Sequence, residues 1–251
     1  MTADSPPART DHAHEPLWLR KLARSRPHAP WLIPYLLYVG IFAFEDRIAP
    51  GFLPWLIAVR GVVCLYVVWL LRAYFRPWRP ARLPAAVVVG VMAAVGWVAG
   101  QHAFNAIEIG GFNLGERLFL FPARPEVAPP HASVSAFSWR WQAALKLISV
   151  TVVVPLIEEP AWRGFLLRFM VDRHRFEEVP HGTFTWLSFV GTALISTLQH
   201  PDNWLVSIFC WMLYNALMYW KKSLTCVIIA HGVTNLLLYT YVLTWEDWMF
   251  W

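Results

Sequence analysis

The chain has 251 residues, of which 57% are apolar and only 15% charged, with a formal net charge of +5. Soluble domains carry about 25% charged residues, so a soluble fold of this length would lack the polar side chains to cover itself. The same hydrophobicity excludes a disordered chain, and sixteen Trp and sixteen Phe suit the aromatic belts of a bilayer.

Residues 1–30 are polar, rich in Pro and Arg, and read as a cytoplasmic tail without a cleavable signal peptide. His12-Ala13-His14 reads as part of a solvated tail rather than a metal tract. Residues 31–251 read as a single transmembrane helical domain. A bilayer core of about 30 Å takes around 20 apolar residues per helix. About seven stretches qualify: 31–44, 52–75, 83–104, 141–170, 184–200, 203–220 and 223–243. The first and fifth are short, and the fourth is long enough to tilt or to project past the membrane. Between the third and fourth, residues 105–140 read as a loop with room for one interfacial helix. Cys64, Cys210 and Cys226 lie in apolar runs and read as small buried hydrophobes, since an odd count without CxxC makes no disulfide framework.

Basic residues test this all-α, multi-pass bundle. With the N-terminus cytoplasmic, the inner segments hold Arg9, Arg20, Lys21, Arg24 and Arg26, then Arg72, Arg76, Arg79 and Arg82. They also hold Arg163, Arg168, Arg173, Arg175, Lys221 and Lys222, which makes 15 of the 21 Lys and Arg. The outer segments hold Arg47, Arg117, Arg124 and Arg140, while Arg60 and Lys146 fall inside spans, Arg60 as a snorkelling group. This alternation obeys the positive-inside rule. The net positive charge is therefore an orientation signal, and no nucleic-acid partner is expected.

Ionisable groups inside a span are costly and point to function. The fourth span contains Glu158-Glu159-Pro160-Ala161-Trp162-Arg163, the fifth ends at Gln199-His200-Pro201, and the seventh contains His231-Gly232-Val233-Thr234-Asn235. Glu159 and Arg163 are i and i+4 and can pair. Glu158 points about 100° away, towards a polar cavity. Pro160 removes the hydrogen bond to the carbonyl of Leu156 and should bend the helix. His231 and Asn235 are again i and i+4, so that an imidazole and an amide converge as an oxyanion requires. Pro201 should end the fifth helix. To bring His200 level with the acids, that helix must tilt or start later than Phe184. Asn215 reads as a packing group, and His102 has no evident partner.

Glu158-Glu159-x-x-x-Arg163, His200 and His231-x-x-x-Asn235, in this order on successive spans, resemble the CPBP family. Its members are the type II CAAX prenyl endopeptidases and the bacteriocin-processing or self-immunity membrane proteins. The strings Arg163-Gly164-Phe165-Leu166-Leu167 and Ile228-Ile229-Ala230-His231 fit as well, and the resemblance covers about residues 150–243. It implies an intramembrane glutamate protease without metal or other cofactor. Glu158 with His200 would activate a water, His231 with Asn235 would hold the oxyanion, and Glu159 with Arg163 would support the site. Two departures stand out. Ser196 occupies a position that is usually Phe, which leaves the pocket shape beside His200 open, and Trp162 replaces another Phe with a second aromatic wall.

The expected function is thus cleavage of a peptide bond near the terminus of a membrane-associated protein, with that protein and the bilayer as partners. Three other readings compete. A zinc protease would use Glu and two His as ligands, although no HExxH is present. A non-catalytic immunity or scaffold protein would keep the fold without turnover. A transporter would show broken helices in both halves, whereas the polar groups here lie in the second half. Arg outnumbers Lys seventeen to four, which fits a GC-rich genome and a bacterial inner membrane. Substrate and oligomeric state stay open.

Overall fold

The computed structural model describes residues 15–76, 78, 82–121, 129–132 and 134–251, the side chain of Asp46 excepted. His12, His14, Arg9, Arg79 and Arg124 lie outside the described residues. The described chain is helical: α1 (Leu17–Ser25), α2 (Ala29–Phe42), α3 (Leu53–Leu71), α4 (Leu83–Asn105), α5 (Ala136–Phe169), α6 (Trp186–Ile195), α7 (Trp204–Lys221) and α8 (Leu224–Trp245). Local chemistry sets several of these boundaries. Pro occupies the first turn of α2, α3 and α4, where a missing N–H costs nothing. Thr185 and Ser188 form a reciprocal capping box at the start of α6. Lys222 turns left-handed at φ 51° to end α7, and Ser223 then caps α8.

Four of the helical stretches are long and apolar enough to cross a membrane: Pro50–Leu71, Leu83–Asn105, Ala136–Phe169 and Leu224–Trp245. The helices over Ala29–Phe42 and Trp186–Leu198 are apolar but shorter. Large side chains such as Val59, Val62, Tyr66, Val88 and Val95 are more than half exposed. Helices that show apolar residues outward and inward alike belong in lipid, and the protein is an integral membrane helical bundle.

Close backbone approach holds α8 at the centre. A Cβ on Gly90 of α4 would sit 2.6 Å from the carbonyl oxygen of Ala230, and one on Gly232 would sit 2.7 Å from that of Thr151 on α5. Small residues admit such contacts between membrane helices. Thr234 Oγ1 lies 3.0 Å from the Gly90 carbonyl and accepts the Tyr214 hydroxyl at 2.6 Å, tying α4, α7 and α8 together. The residues flanking His231 are thereby fixed on two sides.

The fourth predicted span departs from regular geometry. Within α5, Ser149–Val153 and Pro160–Leu166 are π-helical, and Val154–Glu159 between them is α-helical. Pro160 therefore does not break the helix. The chain absorbs the missing donor by widening to an i→i+5 pattern and runs on to Phe169. The fifth span starts later than Phe184, one of the two expected adjustments. Helix α6 begins at Trp186, two residues after Phe184, and passes into a 3-10 turn over Ser196–Leu198 before His200.

Other expectations are revised. Arg60 does not snorkel; it is 3% exposed, bonded to Glu45, and its guanidinium carbon lies 4.3 Å from the Tyr38 ring centroid. His102 has a partner, Asp247, at 2.9 Å. The loop after α4 shows no interfacial helix among its described residues; it opens with an antiparallel pair, β1 (Glu108–Ile109) and β2 (Phe112–Asn113). The polar tail contains α1, whose Leu19 is buried. All three cysteines are free and buried.

Candidate active site

The two acids of α5 are adjacent in sequence and differ in their commitments. Glu159 is fully buried, and its Oε1 accepts from Arg163 Nη1 at 3.2 Å. This is the i, i+4 pair read from the spacing. The same oxygen also lies 2.8 Å from Nδ1 of His231, a contact between α5 and α8 that the spacing did not contain. Arg163 is 1% exposed and further donates to Asn215 Oδ1 at 3.2 Å and to the Trp211 carbonyl at 3.4 Å. Its guanidinium packs on the Trp211 and Tyr214 rings at 5.1 and 5.3 Å. Asn215 is more than a packing group. Its amide donates to the Phe189 carbonyl and to Thr192 Oγ1, so it links Arg163 to α6. A buried charge needs such a full set of partners.

Glu158 is 6% exposed and has a single hydrogen bond among the described residues, from Gln199 Nε2 to its Oε1 at 2.6 Å. Gln199 precedes His200, so this bond brings the end of the fifth span to the acids. Sequence reasoning did not assign Gln199 a role; an amide inside a span beside a histidine was the available signal.

His200 itself is held by rings. Its imidazole stands edge-on to Trp97 of α4 and to Trp211 of α7, each with centroids 5.2 Å away. It makes no hydrogen bond to either acid. Trp97 belongs to the half of the chain that carries no motif, and nothing in its local sequence sets it apart from the other tryptophans. Ser196, the departure from the family pattern, has its hydroxyl committed elsewhere, donating to the Ala193 carbonyl at 2.6 Å. It is buried and bonds Ser207 Oγ at 3.0 Å, a tie between α6 and α7. Trp162 is 6% exposed and stands edge-on to Trp211 at 5.5 Å.

Asn235 lies one turn beyond His231, as expected, but its amide donates to the Val150 carbonyl at 2.7 Å. In the π register of this stretch Val154 donates to Ser149, so the next donor, to Val150, would be residue 155. That residue is a proline, and Asn235 supplies the N–H that Pro155 lacks. One amide hydrogen of Asn235 is thus committed to holding α5.

Several buried polar atoms here have no hydrogen-bond partner among the described residues: Glu159 Oε2, Gln199 Oε1, Trp211 Nε1 and Thr151 Oγ1. Native interiors leave few such atoms, and their clustering marks a place built to receive polar groups. An apolar cavity of about 280 Å³ adjoins it between α2, α5 and α6, with Leu32, Tyr35, Trp162, Phe165 and Gln199 in its wall. On the far side, the turn after His200 is covered by the segment following β2. Leu118 N donates to the Pro201 carbonyl, Trp204 Nε1 donates to the Glu116 carbonyl, and Arg117 pairs with Asp202. A larger cavity of about 800 Å³ lies there, lined in part by Gln101, Glu116, Arg117 and Asp202. Among the described residues no three His, Cys, Asp or Glu side chains converge as a metal site would require.

No curated protein and no solved structure matches the chain. A family model does, that of the Rce1-like type II CAAX prenyl endopeptidases, over residues 140–237. That range contains both acids, Arg163, Gln199, both histidines, Asn215 and Asn235, and the family is one of CAAX-type membrane proteases. Over residues 140–237, the stretch that holds its buried polar site, the chain is similar to the Rce1-like type II CAAX prenyl endopeptidases.

Proposed function

We propose that the protein is an intramembrane endopeptidase of glutamate type, cutting a peptide bond near the terminus of a membrane-associated protein. The observation that carries this reading is the division between the acids. Glu159 is tied to a cation, Arg163, and to His231, while the one hydrogen bond of Glu158 among the described residues comes from the neutral amide of Gln199. Glu158 takes a proton from a water that lies between it and His200, and the resulting hydroxide attacks the scissile carbonyl. The proton then passes from Glu158 to the leaving amine.

His231 stands opposite as the oxyanion donor. Because Nδ1 faces the Glu159 carboxylate, Nε2 donates only when the ring is an imidazolium, and Glu159 supplies the balancing charge. Asn235 has one amide hydrogen left to add to it. The 280 Å³ cavity shares Gln199 with Glu158, so an apolar or prenylated part of the substrate can lodge beside the acids.

Membranes from cells carrying the wild-type or the Glu158→Ala protein, compared by terminal proteomics, test this reading. A membrane protein that stays uncut only in the variant supports it, and cleavage should survive a metal chelator. Identical terminal profiles, or loss of cleavage with the chelator, would sink the glutamate mechanism.

The proposal includes seven spans, with the N-terminus inside and the C-terminus outside a bacterial inner membrane. The basic residues alternate loop by loop, so a reporter fused after Trp251 should report an extracytoplasmic position. A cytoplasmic signal would remove the seven-span arrangement and leave the site chemistry untouched.

A further inference from the structure

Gln199 belongs to two places at once. Its Nε2 donates to Glu158 Oε1 at 2.6 Å, the single hydrogen bond of that acid among the described residues. Its side chain also forms part of the wall of the 280 Å³ cavity, with Leu32 and Tyr35 from α2, Trp162 and Phe165 from α5, and Leu198. Helices α2 and α6 both pack on the π-helical stretch Pro160–Leu166 of α5, and the cavity lies between them. Leu198 is 55% exposed, so the cavity opens at the surface of the bundle.

The hold on this amide is narrow. A carboxylate only accepts, which fixes the end of the amide that faces Glu158. The other end, Oε1, is buried and has no partner among the described residues. The backbone adds little constraint, because Gln199 follows the 3-10 turn Ser196–Leu198 and precedes the His200-Pro201 step rather than sitting inside an α-helix. Packing against the side chain therefore decides where the amide lies. An occupant of the cavity touches Gln199 and removes rotamers that would turn its Nε2 away from the acid.

We propose that Gln199 is a positioning residue that couples occupancy of this cavity to the orientation of Glu158. An apolar group lodged there aims the base as well as anchoring the substrate. This rests on the endopeptidase reading and adds a regulation of the same site. Binding energy gained away from the reacting bond is then used to hold the base, so a substrate without the apolar group loses kcat and not KM alone. A passive pocket would change KM only.

The test uses the full-length protein and its Gln199→Met variant in nanodiscs, with a thermal melt to check the fold. Methionine keeps the length of the side chain and its apolar contact with the cavity, and it removes the donor. Two peptides of one sequence are compared, carrying S-farnesyl or S-methyl cysteine. In the wild type the farnesyl peptide should have a kcat at least about tenfold higher, and in Gln199→Met the ratio should fall below about threefold. Decanol, added to fill the cavity, should raise kcat for the methyl peptide in the wild type and not in the variant. Equal wild-type kcat for the two peptides, no gain with decanol, or effects that persist in Gln199→Met overturn the coupling and leave the protease reading standing. A second arm needs neither substrate nor turnover. Labelling of Glu158 by dicyclohexylcarbodiimide is followed by mass spectrometry, with the fully buried Glu159 as internal reference. Decanol should slow it in the wild type and not in Gln199→Met; unchanged labelling, or slowing in both proteins, overturns the coupling. Coupled labelling without cleavage of either peptide upholds it and sinks the protease reading.

Discussion

Glu158→Gln should lower peptide cleavage by the reconstituted protein to background, a loss of at least about a thousandfold, while the thermal unfolding midpoint stays within a few degrees of wild type. The substitution keeps the shape of the side chain, and the new amide oxygen can still accept from Gln199 Nε2, which bonds Glu158 Oε1 at 2.6 Å. What is lost is the base. A positioned general base contributes about 10²–10⁴ in rate, and here the same group must also return the proton to the leaving amine. Both steps fail together. A variant that cleaves within tenfold of wild type would move the chemistry away from Glu158.

Glu159→Gln should impair both stability and activity, and the two effects separate on a second substitution. Glu159 Oε1 holds Arg163 and His231 at 3.2 and 2.8 Å in a fully buried position. Neutralising it leaves the guanidinium of Arg163 with its Asn215 and Trp211 bonds but without a counter-charge. Breaking a buried pair in this way costs about 3–5 kcal/mol, read as a clear fall in the unfolding midpoint. The pairing with Arg163, read from the i, i+4 spacing, accounts for this loss of stability, and the bond to His231 adds a catalytic effect. Without the carboxylate Nδ1 of His231 loses the partner that orients the ring, and the oxyanion loses a positioned donor. Removing both charges, as Glu159→Gln with Arg163→Met, should recover part of the stability and none of the activity. A Glu159→Gln protein that is stable and active would show that the α5–α8 contact matters to neither.

What could be read in the sequence was whatever is set within one helix. Glu159 and Arg163 are bonded as their spacing requires, and the intramembrane positions of Glu158, His200 and His231 mark three separate helices that do converge. Contacts between helices depend on how far each is rotated about its axis, and apolar helices without a polar face give no hint of that rotation. His231 therefore met Glu159 unannounced, and Asn235 turned out to serve the Val150 carbonyl. The role of Trp97 beside His200 was hidden among sixteen tryptophans of equal local character. Arg60 was misread for a related reason: an arginine in a span suggests snorkelling until a partly buried acid such as Glu45, fifteen residues earlier, folds back onto it.

The paired π-helical stretches make the acid-bearing segment sensitive to length rather than to composition. Val154–Glu159 is a turn and a half of α-helix set between two joints, and each joint stores one residue more per turn than an α-helix would. The α-helical piece between the joints holds no such spare residue. One residue taken from 154–157 would turn Glu158 by about 100° against the preceding half of α5, which Asn235 holds through the Val150 carbonyl. An insertion elsewhere on the surface of the bundle would change a loop, but one residue gained or lost here redirects the chemistry while every side chain keeps its identity.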